Sequence, residues 1–154
     1  MTTVTVMQKL EQGVAAGTLA TLPMTAVMVV AQHFGLLGKA PPAKITDAML
    51  DKADVSAPPW ERRLLTALAH FGFGAGSGAL YSLLRPGRPS FGRATVEGMA
   101  FGTAVWGASY AGWVPALGIL PPPTEDRKDR QLTMVVAHWV FGAAVGLLVA
   151  ARRR

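Results

Sequence analysis

Leu132-Thr133-Met134-Val135-Val136-Ala137-His138-Trp139-Val140-Phe141-Gly142-Ala143-Ala144-Val145-Gly146-Leu147-Leu148-Val149-Ala150-Ala151, residues 132–151, runs without a Lys, Arg, Asp or Glu. A helix of roughly 20 such residues spans roughly 30 Å, the thickness of a bilayer's hydrocarbon core. Three further stretches share the property: Gly13 to Leu37, Leu64 to Leu84 and Gly98 to Leu120. Proline-rich breaks separate them, at Pro41-Pro42, at Arg85-Pro86-Gly87-Arg88-Pro89 and at Pro121-Pro122-Pro123, and runs of proline cannot continue a helix. The expectation is an all-α polytopic membrane protein. It has four transmembrane helices, at about 13–37, 64–84, 98–120 and 132–151, in a single transmembrane domain over 1–154.

Composition agrees. The chain is 51% hydrophobic and 16% charged, where soluble domains carry about 25% charged residues. Without cysteine it has no disulfide, thiolate nucleophile or iron–sulfur cluster. The net charge of +6 sits in short blocks beside apolar runs, which favours anionic lipid and topology over nucleic acid as its cause. The first stretch reads as a retained helix rather than a signal peptide. Its basic region is Lys9 alone, and its apolar run exceeds a signal peptide's.

Four crossings place both termini on one side, with Lys9, Arg85, Arg88, Arg93 and Arg152 to Arg154. The opposite loops mix Lys and Arg with Asp47, Asp51, Asp54, Glu61, Glu125, Asp126 and Asp129. The unmixed basic face is assigned to the cytoplasm. In the outer loop 38–60, Ile45, Ala48, Met49 and Ala53 would share one face of a short interfacial helix.

The chain repeats itself. Ala69-His70-Phe71-Gly72-Phe73-Gly74-Ala75 aligns with Ala137-His138-Trp139-Val140-Phe141-Gly142-Ala143 at an offset of 68. Gly13-x-x-x-Gly17-Thr18 aligns more weakly with Gly98-x-x-x-Gly102-Thr103 at an offset of 85. The unit is a two-helix hairpin used twice, and an even number of crossings makes the copies parallel. Gly13/Gly17, Gly74/Gly78, Gly98/Gly102 and Gly142/Gly146 are spaced for close helix packing in the cytoplasmic half. Leucine at Gly74 or Gly142 should therefore destabilise more than leucine at Gly35. In the outer half, Thr21, Thr25, Met28 and Gln32, together with Trp106 and Tyr110, are expected to line a cavity. Trp60 and Trp113 are assigned to the interfacial belt, and Pro23 to a kink.

His70 and His138 each follow a matched acid, Glu61 or Asp129, by nine residues, which puts both roughly 13 Å into their spans. The expected role is a hydrogen bond to a carbonyl, a threonine or the other histidine that holds the two hairpins together. The alternative is a bis-histidine site for haem or another tetrapyrrole. Two ligands are too few for catalytic zinc. His33, Met24 and Met28 together span more than a turn and make no copper site by spacing, so no metal is expected. With no deep intramembrane carboxylate, a proton pump is disfavoured. No phosphate loop, nucleophile elbow or carboxylate pair appears, so no catalytic residue and no enzyme activity is expected.

Gly17-Thr18-Leu19-Ala20-Thr21-Leu22-Pro23-Met24-Thr25, Leu37-Gly38-Lys39-Ala40-Pro41-Pro42 and Ala111-Gly112-Trp113-Val114-Pro115-Ala116-Leu117-Gly118 complete a pattern with the two histidine segments. In these motifs, spread over nearly the whole chain, the sequence resembles the YagU-like group of small bacterial inner-membrane proteins. The resemblance implies a multi-pass protein of the bacterial inner membrane and carries no catalytic residues. The expected function is non-catalytic: an accessory or structural subunit packing against lipid and other membrane protein subunits. The alternatives are the haem or pigment carrier and a small-solute channel or transporter.

Overall fold

A computed structural model describes residues 5–85, 87 and 89–153. Pro86, Arg88 and Arg154, used above as a helix break and as basic markers, lie outside the described residues. The fold is all-helical, and no strand occurs among the described residues.

Helix α1 (Val6–His33) starts at a capping box: the Thr5 hydroxyl accepts from the Gln8 N–H, and Gln8 Oε1 accepts from the Thr5 N–H at 2.9 Å. It runs through Pro23 as one continuous helix and ends before Gly35 and Gly38, at φ 72° and 63°. Helix α2 (Pro41–Lys52) and helix α3 (Pro59–Leu84) both begin on proline, whose fixed φ and missing N–H suit a first turn. Helix α4 (Phe91–Ala108) is capped by Ser90 and runs into a π-turn, Ser109–Trp113, and a last turn, Val114–Ala116. Helix α5 (Lys128–Arg152) closes the chain.

The apolar stretches and the helices are not coextensive. Capping chemistry, not the first charge, sets a helix start, so α1 begins at Val6 and α4 at Phe91, ahead of 13 and 98. The stretch 98–120 is not one regular helix. Pro115 has no N–H for the Ala111 carbonyl and crowds it, and the backbone widens there, with Gly112 at φ −109°, ψ −108°. Helices α1 and α5 are long and apolar enough to cross a membrane. The glycines and serines of α3, and Arg93 and Glu97 of α4, dilute the apolar content of the other two.

The helices pair as two antiparallel hairpins, α1 with α3 and α4 with α5. In the first, Gly13 faces Gly78 and Gly17 faces Gly74; in the second, Gly98 faces Gly142. A Cβ on any of these six would run into the facing backbone or, at Gly74, first into the Thr21 hydroxyl. Gly102 abuts the His138 carbonyl, and Gly146 abuts Ala94. Backbones approach this closely only where side chains are absent.

These contacts correct the repeat register. Gly74 and Gly142 are equivalent at the expected offset of 68, but Gly17, facing Gly74, corresponds to Gly98, facing Gly142. That offset is 98 − 17 = 81 rather than 85. Glycines four apart look alike one turn further on, so matching letters selected the neighbouring turn.

The hairpins point the same way, and they meet unequally: α1 packs along α5, while α3 and α4 barely touch. At the glycine end a polar staple joins them. Arg153, 5% exposed, donates to the Arg85 carbonyl at 2.6 Å and to the Ser82 carbonyl at 2.7 Å. It thereby caps the otherwise unpaired C-terminal carbonyls of α3. Glu97 on α4 pairs with Arg85 and, at 2.8 Å, with Arg93.

Candidate functional site

The weak α3–α4 contact leaves a cavity of about 240 Å³ at the end of the bundle away from the glycine contacts. Its floor is Gly74 and Phe141, where close packing begins. Its roof is α2, through Pro41, Pro42, Ile45 and Thr46. Met24 and Met28 of α1, His70 and Phe73 of α3, Tyr110, Trp113 and Val114 at the end of α4, and Met134 and His138 of α5 form the walls.

The hydrogen bonds assign the histidine tautomers. The Thr25 hydroxyl donates to the Thr21 carbonyl at 2.7 Å. Its oxygen must therefore accept from His70 Nε2–H, 3.2 Å away. His138 Nδ1–H donates to the Met134 carbonyl at 2.7 Å. Each neutral ring thus keeps one lone pair without a donor among the described residues: Nδ1 of His70 and Nε2 of His138. The histidines do not bond to each other. His70 clasps α1, its own hairpin partner, whereas the expected clasp joined the two hairpins.

Of the residues expected to line the cavity, Met28 and Tyr110 do so. Thr21 is buried in the α1–α3 contact beneath it, its hydroxyl donating to the Gly17 carbonyl at 2.8 Å. Thr25 stands behind His70. Gln32 is exposed and donates to the Gly38 carbonyl at 2.8 Å. Trp106 packs behind Tyr110, ring centroids 5.8 Å apart. The threonines spend their hydroxyls on their own helix, as buried threonines commonly do. Trp113, assigned to the belt, is a wall residue that is also 39% exposed; Trp60, 67% exposed, stays outside.

A haem does not fit this site. The volume lies below the range of about 300–1,000 Å³ that holds drug-sized ligands, and His70 directs Nε2 at Thr25 rather than at the cavity.

Sequence reading missed the cluster at the rim. Tyr110 donates its hydroxyl to Asp126, which pairs with Arg130 at 3.2 Å, both side chains 10% exposed. Asp126 reads as a loop acid, and its i,i+4 relation to Arg130 was the available signal. Nearby, burial and the charge of Arg130 hold the Lys44 amine below its usual pKa.

Helix α2 is tied down by charge. Asp47 pairs with Lys39 and, at 3.0 Å, with Arg62 of α3; Asp51 reaches Arg62 at 3.5 Å. Its covered face is Pro41, Pro42, Ile45 and Thr46, while Met49, assigned to the apolar face, is 49% exposed. The Lys39 hydrogen bond is the main cause holding the Asp47 carboxyl below the carboxylate range. A depressed pKa stabilises the roof above the unfolded value of about 4, and the contribution is lost as pH falls through the folded value. Asp47→Asn should speed amide exchange in α2 by up to about five-fold at pH 7, since partly exposed pairs contribute about 1 kcal/mol or less. The difference should vanish as pH falls through the depressed folded pKa of Asp47, where the wild-type carboxyl becomes as neutral as the Asn amide.

Compared with protein-family models, curated proteins and solved structures, the chain matches none.

Proposed function

We propose that this chain is a non-catalytic membrane protein of four spans, α1, α3, α4 and α5, that holds a small ligand in one half of the bilayer as an accessory subunit of a larger assembly. The carrying observation is the division of the bundle. One half is closed by backbone contact at Gly13, Gly17, Gly74, Gly78, Gly98 and Gly142, and the other holds a blind cavity under α2. A blind cavity stores; it does not conduct. A channel would need a polar path past Thr21, and Thr21 is 1% exposed in the glycine contact.

Membrane crossing is supported by the apolar character of α1 and α5 and by an outer surface carrying Leu19, Leu22, Val29, Leu68, Leu80 and Val96, each at least 45% exposed. Water would disfavour so much apolar area, about 25 cal/mol per Å². The charge-poor walls suit the bacterial inner membrane, as the YagU-like resemblance implies. The basic glycine end then lies in the cytoplasm with both termini, and α2 lies outside. Reporter fusions after Arg153 and in the α3–α4 loop should read cytoplasmic, and fusions at Asp54 periplasmic; the opposite pattern overturns the orientation.

The accessory role has its own support. Gly72 and Gly76 are one turn apart on α3, exposed, with open space where a Cβ would stand. This small-residue face is left over after the bundle closes and admits a neighbouring helix.

The test of the holding function is ligand uptake by purified protein in mild detergent. Naphthol should raise the thermal midpoint, because a ligand bound only to the folded state stabilises it. Val105→Phe, which fills the cavity from α4, should abolish the shift. Absence of any shift with the wild-type chain, or an equal shift with Val105→Phe, would sink the reading.

A further inference from the structure

We infer that the cavity is a binding site for a soft monovalent metal ion, Cu(I), held by the thioethers of Met24, Met28 and Met134 and the imidazoles of His70 and His138. The inference rests on the holding function proposed above and names its ligand.

All five side chains line the one cavity. Met24 and Met28 are one turn apart on α1, and Met134 and His138 one turn apart on α5, so each helix presents two donors on one face. His70 closes the set from α3. The three methionines are 7%, 2% and 4% exposed and His138 is 6% exposed, so these donors are withdrawn from water. Buried methionine alone is ordinary filling for an irregular core. Here the methionines surround space they do not fill.

Both imidazoles line that space, and each has one ring nitrogen already committed elsewhere. His70 commits Nε2–H to Thr25 and His138 commits Nδ1–H to Met134, which leaves two lone pairs and no ring N–H for a ligand. A second partner that fixes the tautomer, as Thr25 and the Met134 carbonyl do, is how ligating histidines are commonly oriented.

The donor set selects the ion. Thioether and imidazole together suit Cu(I), whereas carboxylate, carbonyl and water suit Mg²⁺, Ca²⁺ and Mn²⁺. No carboxylate lines the cavity, so all five donors are neutral. The cost of placing an ion in a low-dielectric site grows with the square of its charge, which disfavours a divalent ion about four-fold relative to a monovalent one. Among the described residues no group of three or more His, Cys, Asp or Glu could hold a metal, which leaves the sulfur donors as the deciding ligands.

The test loads the purified full chain in detergent, without oxygen, with Cu(I) supplied as its acetonitrile complex, followed by gel filtration and metal analysis. One copper per chain is expected, with both nitrogen and sulfur neighbours in X-ray absorption. Met28→Leu combined with Met134→Leu keeps side-chain volume and removes two sulfurs. It should weaken Cu(I) at least ten-fold in competition with a chelator, with the helical circular dichroism unchanged. Met7→Leu and His33→Leu, both exposed and off the cavity, should leave it unchanged. No retained copper, equal retention by the double variant, or tighter binding of Zn(II) would overturn the metal. Naphthol uptake without copper would discard the metal while keeping the holding site; failure of both would discard both.

Discussion

Gly142→Ala is expected to destabilise the bundle by about 1–3 kcal/mol, and Gly142→Leu by more, because overpacking of a filled contact costs that much when neighbours can shift. Here they cannot. The atoms that a Cβ on Gly142 meets are the Gly98 carbonyl group and the Gly102 nitrogen, and backbone moves only if the whole of α4 moves. Gly74→Ala should cost somewhat less, since its first obstacle is the Thr21 hydroxyl, a side-chain group. Gly35, the comparison that sequence alone suggests, is unsuitable. Open space surrounds it, but its φ of 72° strains any residue with a Cβ. Gly76 is the better comparison, because it is helical and faces open space. Gly76→Leu should be neutral, or stabilising by up to about 1 kcal/mol through helix propensity, while weakening association with a partner helix. Unfolding by SDS titration reads the first effect and co-purification from membranes the second. Equal tolerance at Gly142 and Gly76 would remove the packing argument.

The features that can be read in this sequence are those that depend on one helix at a time. The charge-free runs mark the bodies of four of the helices, and the glycine pairs show because their spacing is local. Features that depend on how one helix is rotated or shifted against another are not legible. Gly98 stands where Gly17 does, not where Gly13 does, and no single-helix pattern distinguishes the two. Met24 and Met28 show a pair at one-turn spacing, but that they face Met134 rather than approach His33 follows only from α1 packing on α5. Met49 and Ile45 both suit an amphipathic face, and Ile45 is the one that packs inward, against Tyr110, Val114 and Leu120. Asp126 is the clearest case. Loop acids are ordinarily solvated, and this one keeps only 10% of its side chain exposed, because the π-turn at Ser109–Trp113 places the Tyr110 hydroxyl against it.

That burial makes Arg130→Met the second large effect. Arg130 is 8% exposed and, among the described residues, its 3.2 Å pairing with Asp126 is the ion pair of both. Removing one partner leaves the shielded Asp126 carboxylate without its counter-charge; for a fully buried pair that costs about 3–5 kcal/mol, which is the upper bound here. The Tyr110 hydroxyl and the Arg127 N–H continue to donate to Asp126, but neither replaces the charge of a guanidinium. Replacing both partners is a different matter, since a buried pair exchanged for apolar or neutral groups of similar volume is often close to neutral. Asp126→Asn with Arg130→Met should therefore recover most of the loss, and the coupling in a double-mutant cycle should exceed about 1 kcal/mol. The cavity provides a second readout. Asp126 holds Tyr110, and Tyr110 is a wall residue beside Val114, so the single variant should weaken naphthol uptake while Asp47→Asn, which loosens only the roof's outer edge, should not. Additive losses in the cycle would mean that Arg130 stabilises α5 by itself, as the i,i+4 partner of no one, and that the rim cluster does not shape the cavity.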